Sequence, residues 1–223
     1  MTHDKELPPI EGSRRFICSY AHSLENIRSR TPEQIIKGKH IPGVALTVPP
    51  ATNTVKEVWN RPPVGELKLN VDGAFAAQTG RASAGMILRR DDTSTVFSAC
   101  KVLHFCASAL EAELQACLGG LRFALDMTEE RFSVETDSAI LVQLMSSKER
   151  DSSALGHLVE DLRLLLSSPQ VVSFSKIPRL CNKASHDLAR FGMENHRTQV
   201  WVGSVPESLR DSIREDCNST LII

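Results

Sequence analysis

The sequence predicts an α/β fold in which a meander of three antiparallel strands precedes alternating helices and strands. One observation is a set of three apolar segments between residues 67 and 103 that are joined by short polar turns. Another is the change after residue 107 to segments with helical periodicity that alternate with short apolar runs. Since crossover helices cover both faces of such a sheet, we expect a mixed sheet with helices on both faces.

The first predicted strand is LKLNVDGAF, residues 67–75, in which apolar residues alternate with polar ones as in a strand with one buried face. We expect this strand to end at Asp72-Gly73, where the chain turns. A second strand is predicted at 84–89 and a third at 95–103. The intervening turns are indicated by glycine and polar residues at 76–83 and by an Asp-Asp pair at 91–92.

The remainder of the chain supplies the predicted crossover units. Helices are predicted at 108–126, 137–147, 153–167 and 182–194, and strands at 131–135 and 171–177. The sequence also predicts three regions along the chain: an N-terminal helix with a Pro-rich linker at 1–58, the main domain at 59–196, and a C-terminal tail at 197–223.

The composition limits the class of function. With 26 basic and 27 acidic side chains and a pI near 6.7, the chain has no bulk attraction for nucleic acid or membranes. Six cysteines without a CxxC pair or zinc-ligand spacing favour buried free thiols. The N-terminal sequence has no apolar signal segment, and no run reaches the ~20 apolar residues of a membrane helix. We expect a soluble, intracellular protein, without choosing between nucleus and cytoplasm.

Three carboxylates lie at or near the ends of separate predicted elements: Asp72, Glu113 and Asp137. Each has a structural alternative. Asp72 is compatible with an Asp-Gly turn, Glu113 with a solvated helix edge, and Asp137 with a helix N-cap. Glu113 flanks a seam of small residues on its helix that leaves space for a neighbouring element, whereas Glu111 fits a capping box with Ser108.

A function for these carboxylates follows only if they converge on one point. Converging carboxylates repel each other unless a divalent cation lies between them, and oxygen ligands suit Mg²⁺ or Mn²⁺. A pair of such ions ~3.5–4 Å apart promotes phosphodiester hydrolysis. Periodicity alone does not establish that the three side chains meet.

Six motifs in order resemble a known family: W-x-R-P-P-x-G-E-L-K-L-N-V-D-G-A, A-G-M-I-L-R, A-E-L-Q-A, E-T-D-S, N-K-A-S-H-D-L-A-R and W-V-G-S-V-P-E-S-L-R. Together they span about residues 59–210. They resemble the ribonuclease H-like domains of plants, especially those related to the ribonuclease H region of non-LTR retroelement polyproteins.

The resemblance implies a site that binds two Mg²⁺ ions and cleaves the RNA strand of an RNA–DNA hybrid. Carried over by motif, Asp72, Glu113 and Asp137 are the implied metal ligands, and His186 completes the catalytic set. Gly73 and Asn182 are the implied substrate contacts, with Gly73 allowing the substrate backbone to approach closely.

The fourth position of the implied site departs from the wider pattern N-x-x-x-D-x-L-A. His186 stands where that pattern has aspartate, and Asp187 lies one residue later, about 100° around the helix, so it should face elsewhere. Histidine suits Mn²⁺ or Zn²⁺ better than Mg²⁺, and it can also protonate a leaving group.

Two functions therefore stay open. The first is an endonuclease that cleaves the RNA strand of RNA–DNA hybrids, with structured RNA as another substrate. The second is a non-catalytic module that binds nucleic acid or protein, favoured by the near-neutral charge, by His186 and by the short segment SSKERDSS where some ribonucleases H carry a basic protrusion. The candidate phosphate contacts are Arg81, Arg89, Arg90, Lys176, Arg179 and Lys183.

Overall fold

The computed structural model describes residues 59–147, 151 and 153–218. Its strands are β1 (Leu67–Ala76), β2 (Arg81–Arg90), β3 (Thr95–Leu103), β4 (Phe132–Thr136), β5 (Val171–Lys176) and β6 (Gln199–Val202). They form one sheet in the order β5-β4-β1-β2-β3-β6. β1, β2, β3 and β6 pair antiparallel, whereas β4 pairs parallel with both β1 and β5. The predicted mixed sheet is confirmed.

The described helices cover both faces of this sheet, as predicted. Their bounds are α1 (Ala109–Met127), α2 (Ala139–Ser146), α3 (Gly156–Leu166), α4 (Lys183–Asn195) and α5 (Arg210–Asn218). α1 buries its apolar stripe against β1 and β2, with α2 and α3 beside it. α4 packs on the opposite face, where it contacts Ile87 of β2, and α5 packs on α4.

β1 differs from its prediction in two ways. It does not end at Asp72-Gly73, because residues 73–76 continue to pair with residues 81–84 of β2. The chain turns only at residues 77–80, and Gly80 there has a φ of 69°. The strand is also buried on both faces, since α4 and Trp59 cover the side that carries Lys68, Asn70 and Asp72.

The predicted C-terminal tail begins inside the sheet rather than outside it. Residues of β6 pair with β3 from Cys100↔Gln199 to Phe97↔Val202, so β6 extends the sheet. The predicted N-terminal helix and Pro-rich linker lie outside the described residues. Cys100, Cys106 and Cys117 are buried free thiols, as predicted. Across the described part of the chain, no helix has both the length and the hydropathy that crossing a membrane would require.

Candidate metal centre

The structure brings Asp72, Glu113 and Asp137 together. β1 and β4 are aligned with Asn70 opposite Glu135, so Asp72 and Asp137, two residues further along each chain, lie side by side. One carboxylate oxygen from each of the three acidic residues lies within 4.8 Å of the other two. The described residues contain no other group of three or more acidic, cysteine or histidine side chains with this spacing.

Gly73 allows Glu113 to reach the cluster. A Cβ atom added at Gly73 would lie 2.6 Å from the backbone carbon of Ala112 and 2.6 Å from the backbone nitrogen of Glu113. The first turns of α1 therefore rest directly on the β1 backbone. The space that a Cβ atom at Gly73 would take is filled by α1, and the approach of substrate to Gly73 stays a prediction.

Gly85 has the corresponding role on the other face of the sheet. It pairs with Asp72 across β1 and β2, and a Cβ atom added there would lie 2.1 Å from the backbone oxygen of Ser185. α4 thus approaches closely enough for His186 Nδ1 to lie 2.9 Å from Asp72 Oδ2. Asp187 faces away, toward Lys183 and Ser212.

Asn182 links Asp137 to the backbone of β1 through its side-chain amide. Its side-chain amide donates hydrogen bonds to the Val71 carbonyl at 2.9 Å and to Asp137 Oδ1 at 3.1 Å. Its carbonyl oxygen accepts from Ser185 Oγ at 2.7 Å. Since both amide hydrogens are used and the residue is 1% exposed, this side chain orients Asp137. The contact of Asn182 with substrate stays a prediction.

The N-terminal caps of the two helices that carry or follow these carboxylates are supplied by serines. Ser138 caps α2, accepting from the Leu141 backbone N–H, so Asp137 is not the cap. Ser108 caps α1, and Glu111 accepts from the Ala107 backbone N–H and from Gln115. Asp137 and Glu113 are therefore available for the cluster.

The cluster is electrostatically unfavourable without a cation. Burial, followed by the charges of Asp72 and Asp137, raises the pKa of Glu113 to about 8. Burial and then the charge of Asp72 raise the pKa of Asp137. Glu113 Oε2 is buried and has no hydrogen-bond partner among the described residues. An oxygen-only donor set with one such orphan atom fits a hard divalent cation.

The raised pKa of Glu113 predicts that the ion-free protein loses stability as the pH rises. The folded state holds this proton up to a pKa of about 8, against an ordinary value of 4.5. The resulting stabilisation is complete below the unfolded pKa and is lost as the pH rises through the folded pKa. We expect urea unfolding in EDTA to show a loss on the order of 3 kcal/mol between about pH 5 and pH 8.5.

Glu113→Gln is the matched control for this pH dependence, because it keeps the shape of the side chain and removes its titration. The slope of stability against pH should become shallower in this variant. Millimolar MgCl₂ should restore stability to the unsubstituted protein at high pH, since cation binding competes with the proton. An identical slope in both proteins would assign the pH dependence to another group.

Few of the predicted phosphate contacts remain available. Arg89 is 0% exposed, which excludes it as a surface contact, and Arg90 forms an ion pair with Glu130. Arg179 Nη2 lies 3.4 Å from His186 Nε2, at the edge of the cluster. Lys176 of β5 is exposed. It lies opposite Thr136 in the β4–β5 strand pairing, next to Asp137.

The sequence analysis missed a set of polar residues under the cluster. Lys68, Asn70 and Glu135 are buried, and Glu135 contacts both of the others. The available signal was the position of Lys68 and Asn70, which occupy the same face of β1 as Asp72. The alternation of apolar and polar residues in β1 instead predicts that this polar face is exposed to solvent.

Comparisons with known proteins agree with this architecture. The sequence profile described as reverse transcriptase-like matches residues 70–192. A predicted ribonuclease H protein of Arabidopsis thaliana is 30% identical over 158 residues, which are 71% of this chain and 25% of that protein. The chain thus spans about a quarter of that relative's length.

Solved structures share the fold at lower identity. RNase H1 of the archaeon Halobacterium salinarum superposes with a TM-score of 0.54 at 23% identity, covering 59% of this chain and 99% of that one. LC11-RNase H1 from compost, solved with an RNA/DNA hybrid, gives a TM-score of 0.51 at 17% identity, covering 58% and 98%. The resemblance expected from the motifs is confirmed. The chain belongs to the reverse transcriptase-like family, and it contains a ribonuclease H-like domain.

Proposed function

We propose that this protein is a metal-dependent endonuclease that hydrolyses the RNA strand of RNA–DNA hybrids. The fold and the family support a ribonuclease H-type nuclease. The observation that carries the proposal is the meeting of three carboxylates within 4.8 Å, with the buried oxygen of Glu113 lacking a partner. An isolated cluster of this kind is costly to maintain unless a cation offsets its repulsion.

Asp72, Glu113 and Asp137 would hold the cations, with Mg²⁺ as the first candidate and Mn²⁺ as the second. Divalent ions at such a site activate water and neutralise charge on the phosphate in phosphodiester hydrolysis. Asp72 has the central position, because it lies beside Asp137 and also contacts His186.

His186 would move the proton that the leaving oxygen requires. Its Nδ1 atom is engaged by Asp72, which leaves Nε2 directed toward Arg179 at 3.4 Å. A phosphate bound by the Arg179 guanidinium would therefore lie close to His186 Nε2. With both ring nitrogens protonated, Nε2 would give its proton to the leaving oxygen, and the ring would stay neutral with Nδ1–H on Asp72.

The hybrid is the favoured substrate because an RNA–DNA duplex offers 2′-hydroxyls on one strand only, which a protein can use to select the strand that is cut. LC11-RNase H1, which shares the fold, was solved with an RNA/DNA hybrid. Lys176 and Arg179 supply positive charge beside the cluster, which meets the need for a local basic surface in a chain of near-neutral charge.

The proposal is tested with an RNA–DNA hybrid that carries a different label on each strand. We expect cleavage of the RNA strand alone, in Mg²⁺ or in Mn²⁺, and none in EDTA. Cleavage of the DNA strand, or no cleavage by folded protein with either ion, would contradict the proposal.

A second candidate function is a non-catalytic nucleic-acid-binding module, and the presence of His186 in place of the usual aspartate favours it. This candidate requires binding of hybrid or structured RNA without cleavage in either ion. Titration of a fluorescent hybrid, run beside the cleavage assay, separates the two functions.

Replacing His186 with aspartate is expected to shift ion preference toward Mg²⁺. A fourth carboxylate beside Asp72 would add an oxygen donor of the kind that Mg²⁺ prefers, so the ratio of the cleavage rate in Mg²⁺ to that in Mn²⁺ should rise about tenfold. Glu194→Gln, at an exposed position of the same helix, should leave the ratio unchanged. A ratio unaltered by His186→Asp would show that His186 does not influence the bound ion.

A further inference from the structure

A buried polar network lies directly beneath the acidic cluster. Glu135 of β4 accepts hydrogen bonds from Lys68 Nζ at 2.8 Å and from Asn70 Nδ2 at 2.9 Å. Arg89 Nη2 donates to Asn70 Oδ1 at 2.8 Å, and the Arg89 guanidinium stacks 3.6 Å from the centre of the Trp59 ring. All five side chains belong to residues that are at most 8% exposed.

The network lies at the point where β1 and β4 stop pairing. Their parallel register runs from Leu67↔Phe132 to Asn70↔Glu135 and ends there. Asp72 and Asp137 follow two residues later on each chain, beyond the last paired residues. The Asn70–Glu135 hydrogen bond therefore joins the two strands immediately below two carboxylates that repel each other.

Ionic groups are an unusual choice for this position. Burying Lys68, Arg89 and Glu135 removes three charges from water, which costs free energy that apolar side chains would not cost. Hydrogen bonds are directional, however, so they fix the lateral position of one strand against the next, whereas apolar contacts tolerate small displacements. A fixed position of β1 against β4 matters where the residues that follow, Asp72 and Asp137, must lie at a defined distance from each other.

We propose that Lys68, Asn70, Arg89 and Glu135 are positioning residues that hold β1 against β4 and thereby set the distance between Asp72 and Asp137. The inference rests on the proposed function, because that distance matters for binding a divalent cation. Without the network, repulsion between Asp72 and Asp137 would separate the strand ends, and the cation would bind a wider, less ordered set of oxygens.

The test replaces the ion pair by apolar groups without changing net charge. Lys68→Met/Glu135→Leu removes one positive and one negative side chain, and replacement of a buried ion pair by apolar residues is often neutral for stability. Arg89 keeps its hydrogen bond to Asn70 Oδ1, so we expect a folded protein with a cooperative melting transition, and about tenfold weaker binding of Mn²⁺ in calorimetric titration with MnCl₂. Glu135→Gln, which keeps an acceptor for Asn70, should give an intermediate affinity.

Arg90→Met/Glu130→Leu is the matched control, because that pair has the same 2.8 Å separation but lies half-exposed at the end of β2, where Arg90 pairs with Leu67, five residues before Asp72. It should bind Mn²⁺ like the unsubstituted protein. Unchanged Mn²⁺ affinity in folded Lys68→Met/Glu135→Leu would show that the network does not position Asp72 and Asp137. If the double variant does not fold, the affinity of Glu135→Gln decides in the same way. Absence of Mn²⁺ binding by the unsubstituted protein would instead overturn the proposed function, and this inference with it.

Discussion

Replacing Asp72 with asparagine is expected to lower the rate of RNA-strand cleavage by about a thousandfold or more, while the domain remains folded. Asp72 lies beside Asp137 and 2.9 Å from His186, so its charge serves both the cation and the histidine. Initial rates on a labelled hybrid measure the loss. Because the substitution removes a charge that opposes ionisation of both Glu113 and Asp137, the ion-free variant should melt at a higher temperature than the unsubstituted protein.

Asp161→Asn supplies the control for a lost carboxylate, since Asp161 is an exposed residue paired with Arg122 on α1. It should cleave at the unsubstituted rate. Retention of more than about a tenth of the activity by Asp72→Asn would place the catalytic centre elsewhere in the protein.

Gly85→Ala is expected to destabilise the domain by about 3 kcal/mol, because overpacking at a rigid contact displaces backbone. The added Cβ would lie 2.1 Å from the Ser185 carbonyl oxygen and 2.3 Å from the Ala189 nitrogen. Neither atom can move without shifting α4. The shift would also carry His186 away from Asp72, so cleavage should fall together with stability in urea unfolding measurements.

Gly119→Ala tests whether the effect depends on the close contact. A Cβ atom at Gly119 would meet only the end of Met86, at 3.8 Å, and alanine favours helix over glycine by about 1 kcal/mol. This variant should be as stable as the unsubstituted protein or more so. Equal stability of Gly85→Ala and the unsubstituted protein would refute the close packing of α4 on β2.

Local sequence patterns were sufficient to predict the elements with strong periodicity. α1 and β3 match their predictions closely, because each has a continuous apolar pattern bounded by polar residues. β6 was missed, since it has four residues and two of them are exposed valines. Its alternating valine and tryptophan, Val-Trp-Val, was the only local signal.

The sequence was sufficient to name the residues of the candidate site, but it did not show that their side chains lie close together. Asp72 and Asp137 become neighbours because β1 pairs with β4, and that pairing joins residues 65 positions apart. From the sequence, Gly73 is compatible with a turn or with a close approach of substrate. A glycine in a sequence does not show which neighbouring atom occupies the space that a side chain would take. Only the packing of α1 identifies that atom.

The wide separation of the site residues along the chain has a consequence for the order of folding. The β1–β2 hairpin joins adjacent segments, whereas the Asp72–His186 contact closes a loop of 114 positions. Closing distant contacts is the slow part of folding, and repulsion within the cluster opposes it in the absence of cations. Recovery of cation binding after refolding would therefore report completion of the whole sheet, later than the return of helical signal.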